Sequence, residues 1–474
     1  MVARAACSRQ GSAARHFLLF VATIALAAAD VARAAPILRT SARAQVVREF
    51  ARTFQKTQGL QGDYAVGLRV QSHLKTEMAL ATAAAALADP SLARSARRDL
   101  DWILHERFEP GGGFNWDGAT NPNFFEVHQH WFLIASELIR QELGLSVEYQ
   151  SEQRDAWYFL RGTNPAMADF YLDNQARHGA FFAYRDVQRS GLFQQQAPFK
   201  GSYEIGAALW SLALHRSSSW IDQPGEIASY LARLTAQASK SPYEFGWYAP
   251  AYGGWIRSLE WTGDHWEGFT QHDWKYALHM EEGALLYQIL TGGEELAEAT
   301  RGEVVSLLAH VEPRGEIAGM PDGFGSVIYE YGEALSVLAL AVECYQYTEP
   351  ELSAEALEKG RLVFDYVART FPNYPSEDHA ILLLGLARMF AALPDASGPS
   401  GSPSLLTTLN LQPGLHPTSL LLSPNPTSGA LRVEYRVENG AAARLAIIDV
   451  TGRVQFQEEL PRAVGTGALW WDGT

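Results

Sequence analysis

The stretch EYGEAL, residues 330–335, begins an apolar segment that continues as SVLALAVEC, and it carries the pattern that predicts the fold. Two carboxylates, a tyrosine and a glycine precede apolar residues whose spacing is helical rather than alternating. Glycine inside a helix costs about 0.5–1 kcal/mol relative to alanine. Its presence here predicts either a helix end or a close approach to another part of the molecule.

Similar stretches recur along the chain, each with a glutamate at the head of an apolar helical segment. The six glutamates are Glu77, Glu126, Glu204, Glu281, Glu330 and Glu377, separated by steps of 49, 78, 77, 49 and 47 residues. A unit of about 50 residues is typical of arrays of helical hairpins. More amphipathic helical segments lie between these stretches, so residues 35–393 are predicted to be a mainly α (α/α)6 toroid of inner and outer helices. An open superhelical array is the alternative.

Three glycines occupy equivalent positions in the repeat, namely Gly206, Gly283 and Gly332. This shared register predicts that the inner helices approach a neighbour or a ligand closely there. The repeat also bears on the glutamates, because acidic residues are favoured in the first turn of a helix by its dipole. Most of the six are therefore expected to be architectural.

The two long steps of the repeat arise from insertions at residues 143–201 and 239–275. The first contains HGAFFAYRD and GLFQQQ, which are typical of short strands, and the second is rich in glycine and aromatic residues. Long loops inside a compact domain are usually functional. Both insertions lead into inner helices, so they are expected at the same end of the toroid.

The composition favours a carbohydrate ligand. The formal net charge of −15 argues against binding to nucleic acid or to an anionic membrane, since both require basic patches. Of the 13 tryptophans, most fall between Trp102 and Trp274. Tryptophan faces stack on sugar rings, and carboxylates bind sugar hydroxyls. The repeat and the aromatic loops together resemble the six-hairpin superfamily of secreted glycosidases, polysaccharide lyases and sugar epimerases, which implies carbohydrate as the substrate class.

The N-terminus has the pattern of a secretory signal peptide over residues 1–34. Arginines precede the apolar run FLLFVATIALAAA, and an Ala-Arg-Ala site follows at residues 32–34. The run is too short for a comfortable membrane span. The chain is therefore expected to be secreted or surface-bound after export through the periplasm, with no integral membrane span once the signal is removed.

The C-terminal part changes in composition and pattern. Residues 394–420 begin as the linker-like PDASGPSGSPS, and residues 421–474 alternate in LRVEYRV, RLAIIDV and RVQFQEEL, which predicts a small antiparallel, β-sandwich-like domain. PNP at 424–426, DVTGR at 449–453 and WDG at 471–473 resemble the type IX secretion C-terminal sorting domain in order and spacing. The resemblance implies export by the type IX secretion machinery. Family members continue past the last motif, so it also implies an incomplete domain.

Carboxylates and histidines near the aromatic insertions are the candidates for catalysis. A glycoside hydrolase needs two carboxylates that flank the glycosidic bond, the acid having a raised pKa. We predict Asp117 or Glu126 on one side and Asp273 or Glu281 on the other, with His272 as a further catalytic candidate. The predicted substrate-binding residues are Trp116, Asn123, Arg185, Tyr203, Trp261, Trp266 and Trp274.

Two other functions fit the same sequence. A polysaccharide lyase acting on uronate-containing glycans would use His178, His272 or Tyr203 as base and Arg185 to neutralise the carboxylate. A non-catalytic surface protein would bind a glycan or peptide on the same toroid. The second insertion places histidines seven residues apart, which is not a zinc-binding spacing, so we expect no metal and no cofactor.

Overall fold

The computed structural model describes most of the chain between residues 41 and 393, together with five C-terminal strands. The described residues are 41–66, 69–109, 113–114, 126–161, 186–187, 193–194, 199–216, 218, 225–239, 247–249, 254–261, 266–269, 273–320 and 326–393, and the strands between 420 and 471. The described helices belong to one compact unit within Pro36–Pro413, and the five strands belong to a second within Gly414–Thr474. The predicted signal peptide at residues 1–34 lies outside the described residues.

The described part of the first unit contains twelve α-helices, which alternate between an outer and an inner ring. In chain order they are α1 (Ala42–Thr57), α2 (Val70–Leu87), α3 (Pro90–Arg107), α4 (Glu126–Leu143), α5 (Gln150–Arg161), α6 (Ser202–His215), α7 (Glu226–Ala238), α8 (Trp274–Thr291), α9 (Ala297–His310), α10 (Val327–Tyr345), α11 (Pro350–Thr370) and α12 (Glu377–Ala392). The even-numbered helices form the inner ring. Every residue of α6 is buried, as is most of α10, whereas α11 buries only one face. This difference follows from the sequence, because the inner helices are apolar nearly all round.

The inner ring is closed. Each inner helix packs against the next one along the chain, and α12 packs against α2. Six inner and six outer helices therefore form the predicted (α/α)6 toroid, and the open array is excluded.

Paired glycines set the closest contacts within the inner ring. A Cβ on Gly206 of α6 would collide with the backbone of α8 at His279, and Gly283 of α8 lies against Gly206 in turn. Gly332 of α10 and Gly385 of α12 meet in the same way. The predicted close approach at the repeated glycines is confirmed, and the partner is a neighbouring helix.

The prediction that all six glutamates begin inner helices was wrong at two positions. Glu126, Glu204, Glu330 and Glu377 lie in first turns, but Glu77 and Glu281 lie well inside α2 and α8, which begin at Val70 and Trp274. The first turns of α2 and α8 carry polar residues, which interrupt the apolar pattern without ending the helix. These extra turns place polar side chains at the end of the ring where the inner helices begin, which we call the mouth.

The described strands of the insertions lie at the mouth, because they follow outer helices and precede inner ones. Between α5 and α6 lie β3 (Asp186–Val187), β4 (Phe193–Gln194) and β5 (Phe199–Gly201); between α7 and α8 lie β6 (Tyr248–Ala249), β7 (Gly254–Trp255), β8 (Ser258–Trp261) and β9 (Trp266–Phe269). A short hairpin of β1 (Phe108–Glu109) and β2 (Gly113–Phe114) follows α3. Strand β5 pairs with β8, so the two insertions share one antiparallel sheet, β5-β8-β9.

The second unit contains five described strands in two antiparallel sheets. They are β10 (Leu420–Ser423), β11 (Leu431–Val437), β12 (Ala443–Ile448), β13 (Val454–Leu460) and β14 (Gly465–Trp471). Strand β11 lies between β10 and β14, and β12 pairs with β13. The described pairings are antiparallel, and the β-sandwich-like domain at residues 421–474 stays a prediction. The sorting-domain motifs lie outside the described residues, at 424–426, 449–453 and 472–473. Their one described residue is Trp471, at the end of β14.

Among the described helices, none combines the length and the apolar character that crossing a bilayer requires.

Candidate active site

A buried lysine and a carboxylate lie at the centre of the mouth. Lys75 of α2 donates from Nζ to Oε1 of Glu377, the first residue of α12, over 2.6 Å. Gln71 and Ser72 donate to the other carboxylate oxygen of Glu377 at 2.8 and 3.0 Å. The lysine side chain is 2% exposed and the glutamate side chain 22%. The carboxylate therefore lies at the boundary between the buried ring and solvent.

These contacts keep Glu377 ionised. Burial alone would raise the pKa of Glu377, but the charge of Lys75 and the three hydrogen bonds outweigh it and lower the pKa to about 2. Burial lowers the pKa of Lys75, and the neighbouring carboxylate opposes that shift.

Aromatic rings from three inner helices surround the lysine. Lys75 Nζ lies 4.4 Å from the ring centroid of Trp131, 5.2 Å from that of Tyr203 and 4.8 Å from that of Tyr329. Lys275, in the first turn of α8, lies over the same two tyrosines at 5.9 and 5.0 Å. The Tyr329 hydroxyl donates to the Tyr203 hydroxyl over 3.3 Å. The predicted binding residue Tyr203 is thus at the centre of the mouth.

A second group of ionisable residues lies directly behind Tyr203. The Tyr203 ring stacks on His279 with centroids 4.2 Å apart. His279 Nδ1 lies 2.9 Å from Glu333 Oε1 and 3.8 Å from Glu282 Oε2, and Arg388 of α12 forms an ion pair with Glu282. All four ionisable side chains are buried. We call His279, Glu282 and Glu333 the central cluster.

The central cluster retains a proton on its carboxylates. Burial, opposed by Arg388, raises the pKa of Glu282 to about 8, and burial also raises the pKa of Glu333. Burial lowers the pKa of His279 to about 3, so the imidazole is neutral. The charges of Lys75 and Arg388 oppose that rise at Glu333. One proton shared between two adjacent carboxyl groups is the expected state of such a pair.

The central cluster also has the residue types of a cation site. Ligand atoms of its three residues lie within 4.8 Å of one another. The guanidinium of Arg388 already occupies Glu282, and Lys75 contributes a further positive charge that acts on Glu333. These two positive charges disfavour a metal ion there. We therefore interpret the cluster as a site that binds a proton.

Glu281, a predicted catalytic residue, faces away from the ring axis. Its Oε2 accepts a hydrogen bond from the indole N–H of Trp255 over 2.7 Å, and Glu303 of α9 accepts from the Trp255 backbone N–H at 3.2 Å. Burial raises the pKa of Glu281 well above its ordinary value. Trp255 and Trp247, both from the second insertion, are fully buried. Part of the aromatic insertion thus fills the space between α8 and α9.

Glu77 occupies a similar place between α2 and α3. Burial and the neighbouring Asp99 raise its pKa well above the ordinary value, and Asp99 also pairs with His73 Nδ1 at 2.9 Å. These buried polar groups link an inner to an outer helix. Glu77 therefore has a structural role in helix packing, as expected for most of the repeated glutamates.

Two further predicted residues lie at the beginning of α8. Asp273 caps the helix by accepting from the Tyr276 backbone N–H at 3.4 Å, and it lies 3.5 Å from Arg257 Nε. Trp274 is buried, and its ring meets that of His310 on α9 edge to face, with centroids 5.2 Å apart. Trp274 thus contacts the outer ring.

The remaining predicted residues are described in their backbone or not at all. Glu126 begins α4, and Trp261 pairs with Trp266 across the β8–β9 hairpin. Asp117, His272, Trp116, Asn123 and Arg185 lie outside the described residues, as does His178. The sequence-based candidates are therefore divided between the mouth, the outer layer and the undescribed segments.

Sequence reasoning did not select Lys75, Glu282, Glu333 or Arg388. Glu333 belongs to the stretch EYGEAL itself, and Glu282 stands beside the selected Glu281. Successive residues of a helix are about 100° apart around its axis, since 3.6 residues complete one turn. To find the residues that face the ring axis, one must know how each helix is rotated about its own axis. In the sequence, the glycines at the helix crossings indicate that rotation.

Comparison with solved structures shows which proteins share this fold. The chain is similar to an α-1,6-mannanase of glycoside hydrolase family 76 from Salegentibacter sp. HEL1_6, with a TM-score of 0.54 and 12% identity over 74% of this chain and 98% of that one. A family 76 mannosidase from Bacteroides thetaiotaomicron VPI-5482 gives a TM-score of 0.53 and 10% identity over the same shares. A sugar epimerase from a ruminal bacterium gives 0.52 and 13%, again over 74% and 98%. These similarities show a shared toroid fold.

No protein-family model matches the sequence, and comparison with curated protein sequences gives no match. The resemblance of the C-terminal residues to a sorting domain therefore stays a prediction.

Proposed function

We propose that this protein is a glycoside hydrolase whose active site is the mouth of the toroid. The observation that carries the proposal is the opposite ionisation of carboxylates grouped around Lys75 and its tyrosines. Glu377 has a pKa lowered to about 2, whereas Glu282, behind Tyr203, has a pKa raised to about 8. Acid and base roles in glycosidases are set in this way, by environments that separate the pKa values of two carboxyl groups.

The geometry supports a specific role for each group. Glu377 would supply the ionised carboxylate that acts as base or nucleophile at the sugar. The proton for the departing glycosidic oxygen would come from the Tyr203 hydroxyl. Tyr329 would replace that proton, and the Glu333–Glu282 pair would in turn reprotonate Tyr329. Burial raises the pKa of both tyrosines well above the ordinary value, which keeps them protonated between turnovers.

The residues selected from the sequence belong to the same proposal. Asp117, Glu126, His272 and Asp273 stay candidates for catalysis, with Glu281 as the alternative to Glu333, and Trp116, Asn123, Arg185, Trp261, Trp266 and Trp274 stay candidates for substrate binding. Asp273 immediately precedes α8. Its ion pair with Arg257 holds the beginning of α8 against the second insertion.

The similar structures suggest where a substrate search begins. An inactive variant of the Salegentibacter mannanase is in complex with α-1,6-mannotriose. We include α-1,6-mannan in the panel for that reason, beside other neutral polysaccharides and uronate-containing ones. A lyase would release products with a new double bond, whereas a hydrolase releases saturated reducing ends.

The deciding experiment measures new reducing ends and ultraviolet absorbance with this panel. We expect wild-type protein to release saturated reducing ends from at least one glycan. Glu377→Gln and Glu333→Gln should each lower kcat by at least a hundredfold, and the matched control Glu358→Gln, on exposed α11, should leave it unchanged. Unsaturated products, or full activity in both mouth variants, would refute the proposal.

We also propose that the protein is exported, with residues 1–34 as signal peptide and the type IX secretion machinery acting on residues 421–474. The support is the sequence pattern alone. Expression in a host with that machinery, followed by fractionation, tests it. Retention in the periplasm of the chain ending at residue 420, and not of the full chain, is the expected result.

A further inference from the structure

One cation at the mouth differs from the others in its partners. Lys75 pairs with Glu377, Arg257 with Asp273, and Arg388 with Glu282. The ammonium of Lys275 lies over two tyrosine rings, and among the described residues no carboxylate forms an ion pair with it. Lys275 is half-buried, so its charge is partly removed from water.

Other positive groups lie near Lys275. Lys75 lies over the same tyrosine rings, and the charge of Lys275 is among those that disfavour the protonated form of His279. The six inner helices all begin at this end of the ring, and the N-terminus of a helix carries a partial positive charge. These positive groups lie beside the carboxylates of Glu377 and Glu333, which act on the same tyrosines, in a protein whose formal net charge is −15.

We propose that Lys275 binds an anionic group carried by a sugar of the substrate, so that this protein acts on an acidic glycan. This inference rests on the proposed hydrolase function and adds the substrate class. The anion would be the carboxylate of a uronic acid or a sulfate ester, since both present oxygen atoms to a single ammonium group. The faces of Tyr203 and Tyr329 hold the ammonium group of Lys275 in place by cation–π contact.

The test measures binding and cleavage separately, with the full chain. Titration calorimetry would compare three ligand sets of equal length, namely oligouronides, their carboxyl-reduced neutral counterparts and sulfated neutral oligosaccharides. Wild-type protein should bind one of the anionic sets at least tenfold more tightly than the neutral one. The set that is preferred identifies the carboxylate or the sulfate ester.

Three variants assign this preference to the residue. Lys275→Met should abolish the preference and leave the affinity for the neutral set within about twofold, while Lys275→Arg should keep most of it. Lys56→Met, which removes an exposed charge on outer helix α1, should change neither. If Lys275→Met fails to fold, Lys275→Arg and wild type still decide, because equal affinity of wild type for anionic and neutral sets overturns the proposal.

The two proposals fail in different ways. Cleavage of neutral glycans without any anionic preference would overturn the role of Lys275 and leave the hydrolase proposal intact. A Lys275-dependent anionic preference without cleavage of any glycan would overturn the hydrolase proposal and leave the binding site intact.

Discussion

Lys75 and Glu377 join the first inner helix to the last, through a 2.6 Å hydrogen bond between residues 302 positions apart in sequence. The bond crosses the seam where α12 packs against α2. Ring closure and the ionisation of the proposed catalytic carboxylate are therefore the same interaction. A substitution here is expected to affect stability as well as activity, and the two effects are separable by pH.

Replacing Glu377 with glutamine should lower the free energy of unfolding at pH 7 by about 3 kcal/mol, since a pKa lowered from 4.5 to about 2 corresponds to that magnitude. A carboxylate whose pKa is lowered in the folded state stabilises the fold at pH values above its ordinary pKa. This stabilisation is lost as pH falls from about 4.5 through about 2. Urea denaturation at a series of pH values should show that the unfolding free energies of wild type and Glu377→Gln become equal below pH 2.

The double variant Lys75→Met/Glu377→Gln is the control for that result. Leaving a buried lysine without its partner is a large part of the cost, and replacing both partners removes it. The double variant should therefore be more stable than Glu377→Gln alone. A double variant that is less stable would contradict this account of the pair.

Activity should fall as pH rises through about 8, because the central cluster must hold a proton to supply the leaving group. Arg388 lowers the pKa of Glu282, so Arg388→Met should move this limb to higher pH. Initial rates between pH 5 and 10, on the best substrate of the panel, measure the shift. If the pH at which activity falls becomes lower in Arg388→Met, or does not change, then Glu282 does not supply the proton for the reaction.

Glu281→Gln should retain activity within about threefold, while Glu333→Gln loses it. Glu281 contacts Trp255 between α8 and α9, whereas Glu333 contacts His279 beneath the mouth. The same kinetic assay on both variants measures this contrast. The reverse order of effects would favour Glu281 as the catalytic residue that the sequence pattern suggested.

Gly332→Ala should destabilise the protein by more than about 2 kcal/mol, or prevent folding, because the added methyl group overlaps the backbone of α12 at Ile381 and Leu382. Gly302→Ala is the matched control on outer helix α9. The nearest atom to its Cβ would be the Tyr248 hydroxyl at 3.3 Å, and alanine is the better helix former by about 1 kcal/mol. Thermal unfolding followed by circular dichroism compares the two.

Trp255→Phe should cost about 1–3 kcal/mol, because it leaves the buried carboxyl of Glu281 without its indole donor. Trp247→Phe is the matched change, since the equally buried Trp247 has an indole N–H without a hydrogen-bond partner in the described structure. It should cost less than Trp255→Phe in a urea titration. Equal costs would mean that packing, rather than the hydrogen bond, fixes this insertion.

The fold was predictable because the repeat combines spacing with composition. Apolar helices that recur about every 50 residues, with glycines in register, leave few architectures other than a ring of hairpins. The site was less predictable, because its residues are distributed over helices far apart in sequence. Lys75 sits inside α2 with no local motif, and the distinction between Glu281 and Glu282 depends on helix rotation. Aromatic density also misled in part, since Trp247 and Trp255 are core residues.

The unequal connections of the toroid have an evolutionary consequence. The outer helices end and the inner helices begin at the mouth, where the described strands of the two insertions lie, whereas the opposite end is joined by segments as short as residues 88–89. Insertions at the mouth can lengthen or change sequence without disturbing the glycine crossings beneath them. The toroid therefore tolerates change in the loops at its mouth, whereas a change at a glycine crossing disturbs two inner helices at once.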